Sequence, residues 1–196
     1  PLCARRWPPS TGWHASFADV NNDGRADLFI AKGNVDQMPG MAMRDPNNLL
    51  IQGADGRFTE VGDTAGVADI ARSRGAALAD FDGDGLLDLA VVNRRAPMRI
   101  YRNVTPEAGR FVRIAVRGAG GNRFAVGARV IVTVGDTVQS QQVTLGGGHA
   151  GAVLAPLHFG IGDAAETTVQ VRWPDGTQSD PMRVTAGDQI TVTQPD

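Results

Sequence analysis

The chain is poor in cysteine, lysine, glutamate and tyrosine. A single cysteine, Cys3, among 196 residues excludes an internal disulfide framework and any cysteine-based zinc centre. Lys32 is the sole lysine, and 19 basic against 21 acidic residues leave a net charge of −2. That balance excludes the electrostatic footprint of a nucleic-acid-binding protein and argues against a cationic membrane-surface binder. No apolar run approaches the roughly 18 residues of a membrane span. Only Glu60, Glu107 and Glu166 are glutamates; the other acids are aspartates. Glutamate suits helix interiors, whereas aspartate suits turns, caps and hard-cation sites.

What is abundant is glycine, 25 residues of it, together with aspartate in a repeated setting. His14–Ala31 lies over Gly75–Val92 at an offset of 61, with seven of 18 positions identical: Ala15/Ala76, Ala18/Ala79, Asp19/Asp80, Asp23/Asp84, Gly24/Gly85, Asp27/Asp88 and Leu28/Leu89. Each copy runs from a short apolar stretch through an Asp-rich loop into a second apolar stretch. Asn48–Gln52 and Arg99–Asn103 read as the following strands, and Asp55-Gly56 before 57–61 signals a hairpin. Three to four short strands per period point to propeller blades rather than a helical solenoid. Two blades alone would expose sheet faces and edges, so further blades N-terminal to Pro1, or a partner, are expected to complete the ring.

The loops place side-chain oxygens at positions 1, 3, 5 and 9: Asp19, Asn21, Asp23 and Asp27, then Asp80, Asp82, Asp84 and Asp88. Calcium takes six to eight hard oxygen ligands in irregular geometry. Glycine at position 6 allows the sharp turn. Position 7, Arg25 or Leu86, is expected to ligate through its backbone carbonyl, which frees its side chain to vary. An EF-hand would need a glutamate at position 12; Ile30 and Val91 stand there, so that motif is excluded. Crowded carboxylates repel one another, and two calcium ions would relieve the seven in these loops. Asp82, where the first loop has Asn21, predicts tighter binding by the second. The ions are expected to be structural, because the cage leaves no evident open position.

These loops and their flanking strands resemble the FG-GAP/VCBS repeats of integrin-like β-propellers, whose Asp-rich loop is a calcium site. Residues 47–50, 55–61 and 65–68 resemble that family's inter-loop segment. In the C-terminal part, 110–117, 128–134, 137–145 and 167–173 alternate as strands, Trp173-Pro174-Asp175-Gly176 signals a turn, and a small antiparallel β domain is predicted. Residues 122–130, 157–162 and 169–176 resemble the ASPIC/UnbV domain. Repeats followed by this domain is the order of the cartilage acidic protein 1-like family. The resemblance implies an extracellular or exported calcium-binding protein. The expected organisation is all-β: part of a propeller over 1–106, then a β domain over 107–196.

No catalytic constellation emerges. Gly146–Gly151 satisfies GxGxxG formally, but Pro156 and a strand pattern follow where a dinucleotide site needs a helix. His14, His149 and His158 form no paired-ligand spacing; His14 and His158 read as packed residues. No serine sits in GxSxG, and the nearest approach, 71–75, reads as an inter-blade loop. The arginines read as scattered surface cations. The expected function is a non-enzymatic binding or adhesion module for a protein or glycan ligand. The alternative is the accessory region of a larger secreted propeller enzyme, a hydrolase or lyase, with catalytic residues outside this chain.

Overall fold

The structure is a computed structural model that describes residues 10–34 and 45–195. Among the described residues there are sixteen strands and no helix. The first repeat forms a four-stranded sheet in the order β1 (Gly12–Ala18), β2 (Asp27–Lys32), β4 (Asn48–Gln52), β5 (Phe58–Glu60). Two short strands, β3 (Asp45–Pro46) and β6 (Ile70–Ala71), pair with each other. The second repeat forms a three-stranded sheet of β7 (Ser73–Ala79), β8 (Asp88–Asn93) and β9 (Arg99–Tyr101). The segment read as an inter-blade loop is therefore mostly strand: Ser73–Gly75 opens β7, because its backbone pairs with the end of β8.

The offset of 61 governs register as well as sequence. Ala18 faces Asp27 as Ala79 faces Asp88, and the register shift between Gly12 and His14 recurs between Ser73 and Gly75. Alternation then sends Phe29, Ala31, Leu89 and Val91 into one shared core with Val67 and Ala76. The opposite faces carry exposed apolar side chains, Phe17 (68% exposed) in the first sheet and Ile100 (64%) in the second. The turn at Gly53–Gly56, closed by Gly56 N–H donating to Gly53 O at 2.9 Å, leads into β5. No such turn follows β9, where the chain instead leaves toward the second unit.

That unit has two sheets. One is β13 (Leu157–Gly162), β10 (Arg110–Arg117), β16 (Gln189–Thr193); the other is β12 (Thr137–Gln142), β11 (Arg129–Val134), β14 (Glu166–Arg172), β15 (Met182–Thr185). Their inward residues, among them Val112, Ile114, Val130, Val132, Phe159, Val169 and Val171, are wholly buried around Trp173. Each such side chain contributes about 1.5–3 kcal/mol relative to exposure. The expected antiparallel domain carries one parallel pairing, β10 with β16. The cause is the 186–188 connection, which leaves β15 in one sheet and enters β16 in the other, with Gly187 N–H anchored on Phe111 O at 2.7 Å. The predicted Trp173–Gly176 turn forms, closed by Gly176 N–H donating to Trp173 O at 3.0 Å.

Candidate metal centres at the junction of the two units

Both Asp-rich loops join the first two strands of a sheet, the first spanning β1 to β2 and the second β7 to β8. Their hydrogen bonding repeats with their sequence. The position-1 aspartate accepts from the position-6 glycine: Gly24 N–H to Asp19 Oδ2 at 2.7 Å, Gly85 N–H to Asp80 Oδ2 at 3.0 Å. The position-9 aspartate ties the loop to the third strand. Asp27 accepts from the Val20 and Gln52 amides, and Asp88 from those of Phe81 and Asn103. Gly24 and Gly85 take φ of 85° and 91°, a region that disfavours any side chain. Position 4 is left-handed too, Asn22 at 59° and Gly83 at 81°.

In the second loop, oxygens of Asp80, Asp82 and Asp88 lie within 4.8 Å of one another, a set able to hold a metal ion. Asp84 instead meets Arg102, whose Nη2 lies 3.0 Å from its Oδ2 while Nε lies 2.7 Å from Asp82. The backbone amide of Leu86 and then the Arg102 guanidinium hold the Asp84 carboxyl below the usual range. In the first loop no three carboxylates converge as closely among the described residues. Asn21 links through its amide to Asp23, and Arg25 also pairs with Asp23. Burial first, then repulsion from Asp23 and Asp27, pushes the Asp19 pKa up to about 6 despite backbone hydrogen bonds from Gly24 and Asp23. Burial raises Asp27 as well.

The donor set fits a hard divalent cation. Carboxylate oxygens that accept one amide each keep a second lone pair, and the repulsion that lifts Asp19 is what an ion would remove. Among the described residues neither the Arg25 nor the Leu86 carbonyl accepts a backbone hydrogen bond from a turn or loop.

The loops are also where the two units meet. Asn22, 1% exposed, donates from Nδ2 to Gly85 O at 3.0 Å and so joins loop to loop. Its Oδ1 lies 2.7 Å from His158 Nε2 on β13; an amide oxygen only accepts, so that nitrogen carries the proton. Burial pushes the His158 pKa down to about 4, keeping the ring neutral, and Phe111 stacks on it at 5.4 Å. Gly109 N–H donates to Asn21 O and Gly162 N–H to Asn22 O, both at 2.9 Å. Arg113 Nη1 of β10 reaches Asp80 Oδ2 at 2.6 Å. Contact is close: a Cβ on Gly160 would lie 2.0 Å from Asp19 Oδ2, and one on Gly85 would lie 1.9 Å from the Phe111 ring.

Sequence reasoning named the candidate ligands of the loops but not Asn22, Arg113 or the role of His158. The available signal was position 4, where Asn in one copy and Gly in the other mark a left-handed backbone. The 146–151 stretch forms no helix. It lies against the repeats, with His149 N–H on Trp13 O at 2.9 Å and a Cβ on Gly75 only 2.0 Å from Ala150 O. His14 is buried, bonded through Nε2 to Ser16, and lowered in pKa by desolvation, as its packed reading requires.

This pairing of loop-bearing blades with a small β sandwich has a match in known proteins. Residues 19–91 match the FG-GAP-like repeat family and residues 118–196 match the ASPIC and UnbV family. The chain thus carries an FG-GAP-like repeat match followed by an ASPIC and UnbV match. Among curated proteins it is similar to cartilage acidic protein 1 of Mus musculus and of Homo sapiens, at 27% identity over 163 residues in each case. The match covers 81% of this chain but 25% and 24% of those proteins, so the chain spans about a quarter of the relatives it matches. No helix of the described residues is long and apolar enough to cross a membrane.

Proposed function

We propose that this chain is a calcium-stabilised part of an extracellular binding protein, and that it works as a recognition scaffold rather than a catalyst. One ion would be held by Asp19, Asn21, Asp23, Asp27 and the Arg25 carbonyl. The other would be held by Asp80, Asp82, Asp84, Asp88 and the Leu86 carbonyl. The convergence of Asp80, Asp82 and Asp88 carries the reading. Two unit charges 4 Å apart repel by about 4 kcal/mol at an effective dielectric of 20, and bound calcium supplies the neutralising charge. The residues themselves orient the loops: Asn22, His158 and Arg113 hold them against the β sandwich.

Residues 1–106 act as propeller blades and 107–196 as the appended domain. The exposed Phe17 and Ile100 faces suit stacking against further blades supplied upstream. Similarity to cartilage acidic protein 1 supports the extracellular placement, and the ligand would be a protein or a glycan. A thermal melt in about 1 mM calcium against the same melt in EGTA tests the proposal. Binding at roughly 1,000 times Kd adds about 4 kcal/mol, so chelation should lower the midpoint by about 10 °C. Coincident melts would refute it.

A further inference from the structure

The end of the repeat sheets opposite the ion loops gathers arginine. There the loop joining β8 to β9 and the stretch joining β6 to β7 enclose a groove of about 510 Å³, within the range of ligand pockets. Arg72, Arg94, Arg95 and Arg99 line it, and among the described residues Asp69 is the single carboxylate of that lining. Asp69 pairs with Arg99 at 3.4 Å. The arginines are adjacent by construction, because Arg94 N–H donates to Arg72 O at 2.9 Å. The loop is braced: Ser73 Oγ donates to Asn93 Oδ1 at 2.8 Å, and Asn93 Nδ2 donates to Pro97 O at 3.1 Å. Arg95 holds a left-handed backbone, φ 56°, the kind of local strain that clusters at binding sites.

Behind the groove stands a fifth guanidinium. Arg74, 7% exposed, is bonded to the carbonyls of Gly33, Ser73 and Asn34 and lies over the Trp13 ring at 4.5 Å. Burial, then repulsion from Arg94 and Arg72, lowers its pKa. These carbonyl oxygens accept from its Nη1 and Nη2 without cancelling its charge. A chain of net charge −2 thus concentrates positive charge in one preformed concavity.

We infer that this groove is a binding site for a ligand bearing two or more sulfate or phosphate ester groups. The planar guanidinium fork matches such oxyanions bidentately, and several forks around one cavity favour a multiply charged ligand over a single carboxylate. The site is separate from the ion loops and does not depend on them.

Calorimetric titration of the whole chain with a heparin-derived tetrasaccharide and, separately, with fructose 1,6-bisphosphate tests the inference and tells a sulfated glycan from a phosphorylated metabolite. At least one probe should bind one-to-one in about 50 mM salt and weaken about tenfold or more in about 500 mM. Arg72→Gln with Arg95→Gln should weaken it at least about tenfold. Arg123→Gln with Arg183→Gln, on the other unit, should leave it unchanged. Arg95→Gln alone, at an exposed side chain, carries the test should the first pair fail to fold. Absence of binding by both probes would overturn the inference. So would equal loss in the two pairs of variants, or equally tight binding of hexaglutamate, which would mark an acidic-peptide site instead.

Discussion

The two Asp-rich loops share a spacing but not an environment, and the difference separates two ways of holding crowded carboxylates. In the first loop Asp19 and Asp27 are buried, at 7% and 1% exposure. Their repulsion is met by desolvated backbone amides and by a raised Asp19 pKa. In the second loop Asp82 and Asp84 are open to solvent, and Arg102 and Arg113 neutralise much of the charge. Counting carboxylates ranks the second loop as the stronger ion site. Burial works the other way, because an ion in the first loop offsets a desolvation cost that Arg25, paired with Asp23, covers only in part. An ion in the second must compete with guanidinium for Asp82 and Asp84.

The sharpest way to break the comparison is to force the first loop off the β sandwich. Gly160→Ala places a methyl against Asp19 and the Asn22 backbone, which cannot yield as a flexible side chain would. A loss of about 3 kcal/mol is expected, read as a urea midpoint shift. Calcium binding at the first loop should suffer and that at the second should persist. Equal damage to both would show that they act as one unit.

Acid acts on the same junction through His158. His158 folds with a pKa of about 4 against an ordinary 6.5, so the unfolded chain binds the proton first. Its contribution is complete above pH 6.5 and is lost as pH falls toward 4, by up to about 3 kcal/mol. His158→Gln keeps a donor near Asn22 and removes its titration; in EGTA, Asp19, whose pKa of about 6 gives the opposite sign, is left, so the variant's urea midpoint should rise as pH falls across that window where the parent's does not. An unchanged profile would remove His158 from the account.

The smallest effect sharpens the second loop. Arg102 is 65% exposed along its side chain, and ion pairs open to solvent contribute little. Arg102→Gln should therefore raise second-loop calcium affinity by only a few-fold, measured by titration, and leave the first loop alone. Weaker binding would mean that Arg102 shapes the site rather than competes for it.

The period of 61, the repeated course of the two Asp-rich loops and the Asp55-Gly56 and Trp173–Gly176 turns were legible because each is fixed by residues close in sequence. Asn22 was not, since its partners Gly85 and His158 lie 63 and 136 residues away and its side chain serves the junction, not its own loop. The β10–β16 pairing escaped for a related reason: strand pattern records which face is buried, not which sheet a strand joins. Arginines read as scattered surface charge meet in one groove only once β6, β8 and β9 are in place.

The most direct test is calcium stoichiometry by calorimetry, on the chain and on Asp27→Asn and Asp88→Asn variants. Two ions per chain, with one lost in each variant and the other retained, is the predicted result. No calcium bound, or two ions still bound in both variants, would contradict the account.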